Sequence, residues 1–172
     1  MTTRRRVLAL LAPLVVLALM LAFTVTAFAA DRYAILPAST TSNWNSTGTW
    51  SATSGGATGA SVPTSADAVF VDALSVAGAA AKLQVVGACS ALSMDWTGAT
   101  NTPDFLWNAN AYLQMYGNVT FIAAMTMTGT GLYGLLWQAS GTLWTNGLVV
   151  TTNHICLAIG IDLKRRNKPK SR

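Results

Sequence analysis

The chain contains no glutamate: all six acidic residues are aspartate, and charged residues make up only 10% of its 172 positions. Paired-carboxylate hydrolysis of glycosides would therefore have to rest on aspartate alone. The composition also lacks the Glu and Lys that line the exposed faces of helices in cytosolic proteins. One histidine, His154, and two cysteines, Cys89 and Cys156, complete the shortage of reactive side chains. The cysteines lack metal-ligand spacing, and a disulfide between residues so far apart is not implied by their number. Cys89 falls on an inward position of an alternating strand, where a buried free thiol is expected. Asp67 and Asp72 make a sparse pair, well short of the about six to eight oxygens that calcium takes. Asp95 and Asp104, flanking a loop with Trp96 and Trp107, are the best-placed acids, but catalysis needs a geometry that spacing alone does not supply. No catalytic residue, no cofactor and no metal site is expected.

A basic body is also missing. The net charge of +5 comes from the two ends, Arg4, Arg5 and Arg6 on one side and Lys164, Arg165, Arg166, Lys168, Lys170 and Arg172 on the other. Between them only Arg32 and Lys82 are basic, against six aspartates. Nucleic-acid binding needs a basic patch on the folded body, so no nucleic-acid partner is expected.

What the chain does have is Ala, Thr, Gly and Ser in abundance, which suits an all-β protein whose outward positions are small and polar. Its first six residues are triply basic, and Val7 to Ala30 form an uncharged run of 24 residues. Ala27-Phe28-Ala29 then places small residues where a signal peptidase reads them. This is the layout of a secretory signal peptide, with cleavage after Ala29 or Ala30. The run is also long enough to span a bilayer uncleaved as a signal anchor, and the basic start would send the body outward in either case. The expected location is exported, extracellular or at the cell surface, with membrane contact only through residues 1–30. A partial twin-arginine pattern at Arg4-Arg5-Arg6 is outweighed by the very apolar run, which points to the general secretory route.

Residues 31–81 read as an opening module. Trp44-x5-Trp50-Ser51 is followed by a loop through Gly55, Gly56 and Gly59, then by Pro63-Thr64-x-x-Asp67-x-Val69 and a strand containing Phe70. Carried by Trp44, Trp50, Pro63, Asp67 and Val69, this pattern resembles the start of bacterial exported β-solenoid proteins, a group that includes autotransporter-like passengers, surface adhesins and phage or cell-surface repeat proteins. The resemblance implies stacked coils after a capping module. Physically, a first coil exposes an apolar end that needs a cover. Trp44 and Trp50 suit that cover, and alternatively their ring faces suit sugars. Asp67 suits turn amides better than a metal.

Residues 82–152 read as solenoid coils. Ala81-x-Leu83-Gln84-x-x-Gly87 returns thirty positions on as Ala111-x-Leu113-Gln114-x-x-Gly117, and again around Leu143 and Gly147. The offset of 30 also matches Trp107 with Trp137, while a weaker offset of 21 is nearer the length of a three-strand coil. From Ala111 to Phe121 the side chains alternate, Leu113, Met115 and Val119 on one face, Tyr112, Gln114 and Tyr116 on the other. Asn118 and Asn146, beside Gly117 and Gly147, suit left-handed corners. Equal spacing favours a right-handed parallel β-helix, with one such phrase per coil, over an antiparallel β-sandwich. Outward Tyr112, Tyr116 and Trp144 are expected to line one flank, against a loop or a partner. Asn45-Ser46-Thr47 and Asn118-Val119-Thr120 are glycosylation sequons, meaningful only in a eukaryotic setting.

Residues 153–172 change character, an apolar stretch from Ile155 to Ile161 giving way to a dense basic tail. It is a poor solenoid cap and reads as a truncated or frame-shifted end, or as a tail for an anionic surface. The expected whole is a non-enzymatic structural or adhesive surface protein, with an extracellular glycan or surface protein as its partner. The alternatives are a carbohydrate-binding module or solenoid polysaccharide-active enzyme using Trp and Asp residues, and a membrane-anchored exported protein.

Overall fold

A computed structural model describes residues 29–130, 134–148, 155–156 and 161–164. Residues 1–28, which the sequence pattern reads as an export signal, His154 and the basic end from residue 165 lie outside the described residues. The chain opens with β1 (Asp31–Ala34), β2 (Thr41–Asn43), one 3-10 turn (Thr47–Thr49), β3 (Trp50–Ser51) and β4 (Ala68–Phe70). Three turns of three strands follow. The first is β5 (Lys82–Val85), β6 (Ala88–Ala91) and β7 (Ser93–Asp95). The second is β8 (Asp104–Trp107), β9 (Tyr112–Met115) and β10 (Val119–Thr120). The third is β11 (Thr126–Gly129), β12 (Leu135–Trp137) and β13 (Gly141–Trp144). Two short strands, β14 (Ile155–Cys156) and β15 (Ile161–Lys164), come last.

These strands form three sheets, ordered β15-β13-β10-β7-β4-β1-β3, β11-β8-β5-β2 and β14-β12-β9-β6. Each neighbour pair is parallel except β1 with β3. The protein is a parallel β-solenoid, and the antiparallel sandwich is excluded. Short corners replace the helical crossovers that parallel strands usually need, because the chain reaches each parallel partner by walking around the other two sheets.

The coil length differs from the thirty-residue spacing of the sequence. Lys82 pairs with Asp104 and Asp104 with Thr126, each a step of 22 residues. Met94 pairs with Val119 and Val119 with Leu143, steps of 25 and 24. The repeated phrase therefore does not stack on itself. Leu83 lies on β5, Leu113 on β9 and Leu143 on β13, three different sheets. Thirty residues is one coil plus one side. Every side needs the same alternating strand and corner, so the phrase recurs without marking a rung. Cys89, which a thirty-residue repeat would match with Val119, accordingly stacks on Leu113, which in turn stacks on Leu135.

Alternation decides what fills the interior. The inward ladders Val69–Met94–Val119–Leu143, Leu83–Phe105 and Ala91–Met115–Trp137 are buried throughout. Phe105 sits at the centre of an aromatic cluster, its ring centroid 4.9 Å from Trp107, 5.3 Å from Trp96 and 6.3 Å from Phe121. At the opening end, β3 turns back antiparallel to β1, and Trp44 and Trp50 are both fully buried. Their rings meet edge to face at 4.9 Å, and the Trp50 indole N–H donates to the Trp44 carbonyl at 2.6 Å. The two indoles close the core.

Corners impose their own residues. A side chain on Gly117 would meet the Leu92 carbonyl oxygen at 2.9 Å, so close approach rather than a left-handed backbone demands glycine there. Asn146 does adopt the left-handed conformation, with φ 46°. Its amide donates to the Phe121 carbonyl at 2.8 Å. In the stretch set apart as a tail, β14 pairs with β12 and β15 with β13, placing Leu163 in register with Leu143. The ladder thus runs beyond residue 152.

The tryptophans give a stability test. The Trp96 indole N–H is buried without an acceptor, whereas that of Trp50 is bonded. Both Trp→Phe changes shrink a buried ring, but only Trp50→Phe also strands a carbonyl. Denaturant unfolding is expected to show Trp50→Phe less stable than Trp96→Phe by about 1–2 kcal/mol. An equal loss would contradict this hydrogen-bond assignment.

Candidate functional site

Strand alternation sends one residue in two outward, and parallel register stacks those residues in rows at about 4.8 Å spacing. On the seven-stranded sheet the row is Tyr33, Phe70, Asp95, Thr120 and Trp144. The Tyr33 and Phe70 rings stack at 5.2 Å and 22°. The Asp95 carboxylate accepts from the Thr97 N–H at 2.7 Å, holding the loop after β7 against the sheet. Beyond it, Thr97, Thr120, Trp144 and Asn146 line a shallow cavity of about 290 Å³. A half-buried indole beside hydroxyls and a carboxamide offers a flat apolar surface with polar groups at its margin. That chemistry suits a sugar ring or an aromatic side chain of a partner.

The residues singled out in the sequence are spread over more than one part of the molecule. Trp44 and Trp50 are in the core and present no ring face to a ligand. Tyr112 is half-buried on the outer face of the β14-β12-β9-β6 sheet and Tyr116 half-buried at the corner just after β9, whereas Trp144 lies on the seven-stranded sheet. They do not share a flank, because the thirty-residue offset moves one side around the coil. Asp95 and Asp104 also belong to different sheets. Asp104 is held by the Thr126 and Thr128 hydroxyls at 3.0 and 2.6 Å and lies 3.5 Å from the Lys82 ammonium. Both sequon asparagines have internal roles: Asn45 donates to the Val86 carbonyl at 2.6 Å, and Asn118 accepts from the Thr142 N–H at 2.9 Å. Tyr33, Phe70, Thr97 and Thr120 were not anticipated. Outward parity of Phe70 beside Val69 was readable, but its row partners depend on register.

The opening-module motif has a local physical basis. Thr64 donates to Asp67 through its N–H at 2.8 Å and its hydroxyl at 2.7 Å, while the Asp67 N–H donates back to the Thr64 carbonyl at 3.1 Å. Burial pushes the Asp67 carboxyl up, but the Thr64 hydroxyl, the Thr64 and Ala30 amides and the Arg32 charge together hold it below the ordinary value. Partial burial pushes the half-buried Asp72 up as well, but the Ser54 and Ser75 hydroxyls and the Leu74 and Ser75 amides hold it below the ordinary value. Burial pushes the Cys89 thiol up to about 11, against weak contacts to Val86 and Asn45. Cys156 pairs with Leu136 and Leu136 with Gln114, which pairs with Ser90. Its backbone is thus three rungs, about 14 Å, from the strand carrying Cys89, too far for a disulfide. Among the described residues no three His, Cys, Asp or Glu side chains group as metal ligands, and no helix is long and apolar enough to cross a membrane.

With this geometry in hand, comparison with known proteins finds no matching family model, no matching curated protein and no matching solved structure.

Two outcomes follow from the titrating groups. Asp67 and Asp72 are held below their unfolded values, so their contribution to stability is full above about pH 4 and disappears as the pH falls through their folded pKa values. Urea midpoints are expected to drop on acidification, and Asp67→Asn is expected to flatten that drop. The Cys89 thiol is expected to react with a thiol reagent at pH 8 at least about tenfold more slowly in the folded chain than in urea, as read by peptide mapping. Equal rates would place Cys89 at the surface.

Proposed function

We propose that this chain is an exported surface or extracellular protein, non-enzymatic, whose β-solenoid is a rigid scaffold that displays outward side chains to a partner. The observation that carries this reading is the outward row Tyr33, Phe70, Asp95, Thr120 and Trp144, fixed at rung spacing on one sheet. Small polar residues elsewhere on the outside favour a surface that stays soluble without many charges, and the pattern of residues 1–30 favours export. Adhesion in such a scaffold needs no moving part. The rows are pre-organised, so little side-chain order is lost on binding.

A second reading is a carbohydrate-binding module. It is favoured by the cavity of about 290 Å³ beside Trp144, where hydroxyl and carboxamide groups flank an indole. Both readings place the contact on the seven-stranded sheet, with Tyr112 and Tyr116 on a separate face.

Attachment of the folded chain to glycan-coated and protein-coated surfaces tests them. Trp144→Ala is expected to weaken attachment at least about tenfold while leaving the circular dichroism spectrum intact. Attachment to glycans alone selects the second reading, and attachment to proteins the first. Unchanged attachment by Trp144→Ala would remove this face from either. Release of reducing sugar from a polysaccharide by the purified chain would sink the non-enzymatic assignment.

A further inference from the structure

The export pattern ends at either of two bonds, after Ala29 or after Ala30, and the fold separates them. Ala30 already belongs to the first rung: its carbonyl accepts from the Ala68 N–H at 3.1 Å, continuing the register in which Asp31 pairs with Ala68. Its nitrogen lies 3.0 Å from Asp67 Oδ1. Asp67 is 4% exposed, and its other oxygen is engaged by both Thr64 donors. A buried carboxylate thus points one oxygen at the nitrogen of a residue that an export peptidase would make the first of the chain.

We propose that the exported chain is cut between Ala29 and Ala30, and that Asp67 is the receptor for the new α-ammonium of Ala30. The proposal rests on the export reading above. The cut is a hydrolysis by a membrane-bound export peptidase. Water adds across the Ala29–Ala30 amide, the C–N bond breaks, Ala29 leaves as a carboxylate and the Ala30 nitrogen takes up the protons. The peptide N–H at 3.0 Å then becomes a charged donor facing a carboxylate, an arrangement about twice as strong as its neutral counterpart. A cut one residue later removes Ala30 altogether. It strips Asp67 Oδ1 of this donor and Ala68 of its carbonyl partner, leaving a buried charge under-satisfied. The charged groups around the pair are Arg32 on β1 and the exposed Asp31 beside Ala30, while β7 brings neutral Ser93 alongside Ala68. Arg32 is itself turned to Ser61, donating to its carbonyl at 3.0 Å and its hydroxyl at 2.6 Å. The ammonium therefore has Asp67 as its near counter-charge. Docking of this kind ties down the first strand of the solenoid, where an ordinary terminus would fray.

The test is expression of the full-length chain in an exporting bacterial host, with intact mass and N-terminal sequencing of the exported product. The expected product begins at Ala30. Its α-amine is then acylated across a pH series, with the same product in urea and the exported Asp67→Asn variant as references. An ordinary α-amine titrates near about 7.7–8.0. The pair raises that value, so acylation at pH 7.5 is expected to be at least about fivefold slower than in urea. The pair's stabilisation is present at neutral pH and lost as the pH rises through the raised value. The urea comparison holds even if Asp67→Asn does not fold. An exported product beginning at Asp31 or later, or still carrying Met1, overturns the proposal while export stands. Retention in the cytoplasm overturns both. A product that begins at Ala30 but acylates as fast folded as in urea overturns the docking.

Discussion

Successive rungs of the three complete coils place apolar side chains directly over one another, because parallel strands about 4.8 Å apart stack their inward residues into one continuous interior. The ladder Val69–Met94–Val119–Leu143 shows how strict the constraint is. Its steps are 25, 25 and 24 residues, yet the inward position is apolar and buried each time. Corners absorb the variation. They tolerate extra residues but not bulk, since neighbouring coils bring backbone against backbone at Gly117 and Leu92. The core aromatics around Phe105 then fill the wide centre that three sheets enclose.

A stack of this kind is stable only if its ends are closed, and unpaired strand edges invite association with other chains. The opening end is closed by chemistry already present in residues 31–81. Antiparallel β3 finishes the seven-stranded sheet, Trp44 and Trp50 cover the core, and the Thr64–Asp67 turn aligns β4 beneath β1. Two aspartates, the buried Asp67 and the half-buried Asp72, serve as local staples: their oxygens collect hydroxyl and amide donors from turns that would otherwise leave those donors unpaired.

Rigidity of the stack shapes what the outside can do. Outward residues in register become rows with fixed spacing, so recognition depends on which residues share a row rather than on which are near in sequence. Trp144 shares a shallow cavity with Thr120, Thr97 and Asn146, which come from different turns. Tyr112 and Tyr116, one coil-side away, face elsewhere.

Much of the architecture was legible in the sequence. Alternation in Lys82–Val85 and Tyr112–Met115 identifies strands and their buried faces, because side-chain direction has period two in any sheet. Corner residues such as Asn146 announce themselves through their tolerance of left-handed backbone. Repetition at thirty residues signals a solenoid. It could not give the coil length, since each side obeys the same local pattern and a shift by one side looks like a shift by one turn. Only tertiary structure decided the register, and with it the fate of the exposed and buried aromatics. Trp44 and Trp144 are the same residue type in similar polar surroundings in sequence. One closes the core and the other lines an open face, because what a strand buries is set by the rungs and loops that pack against it.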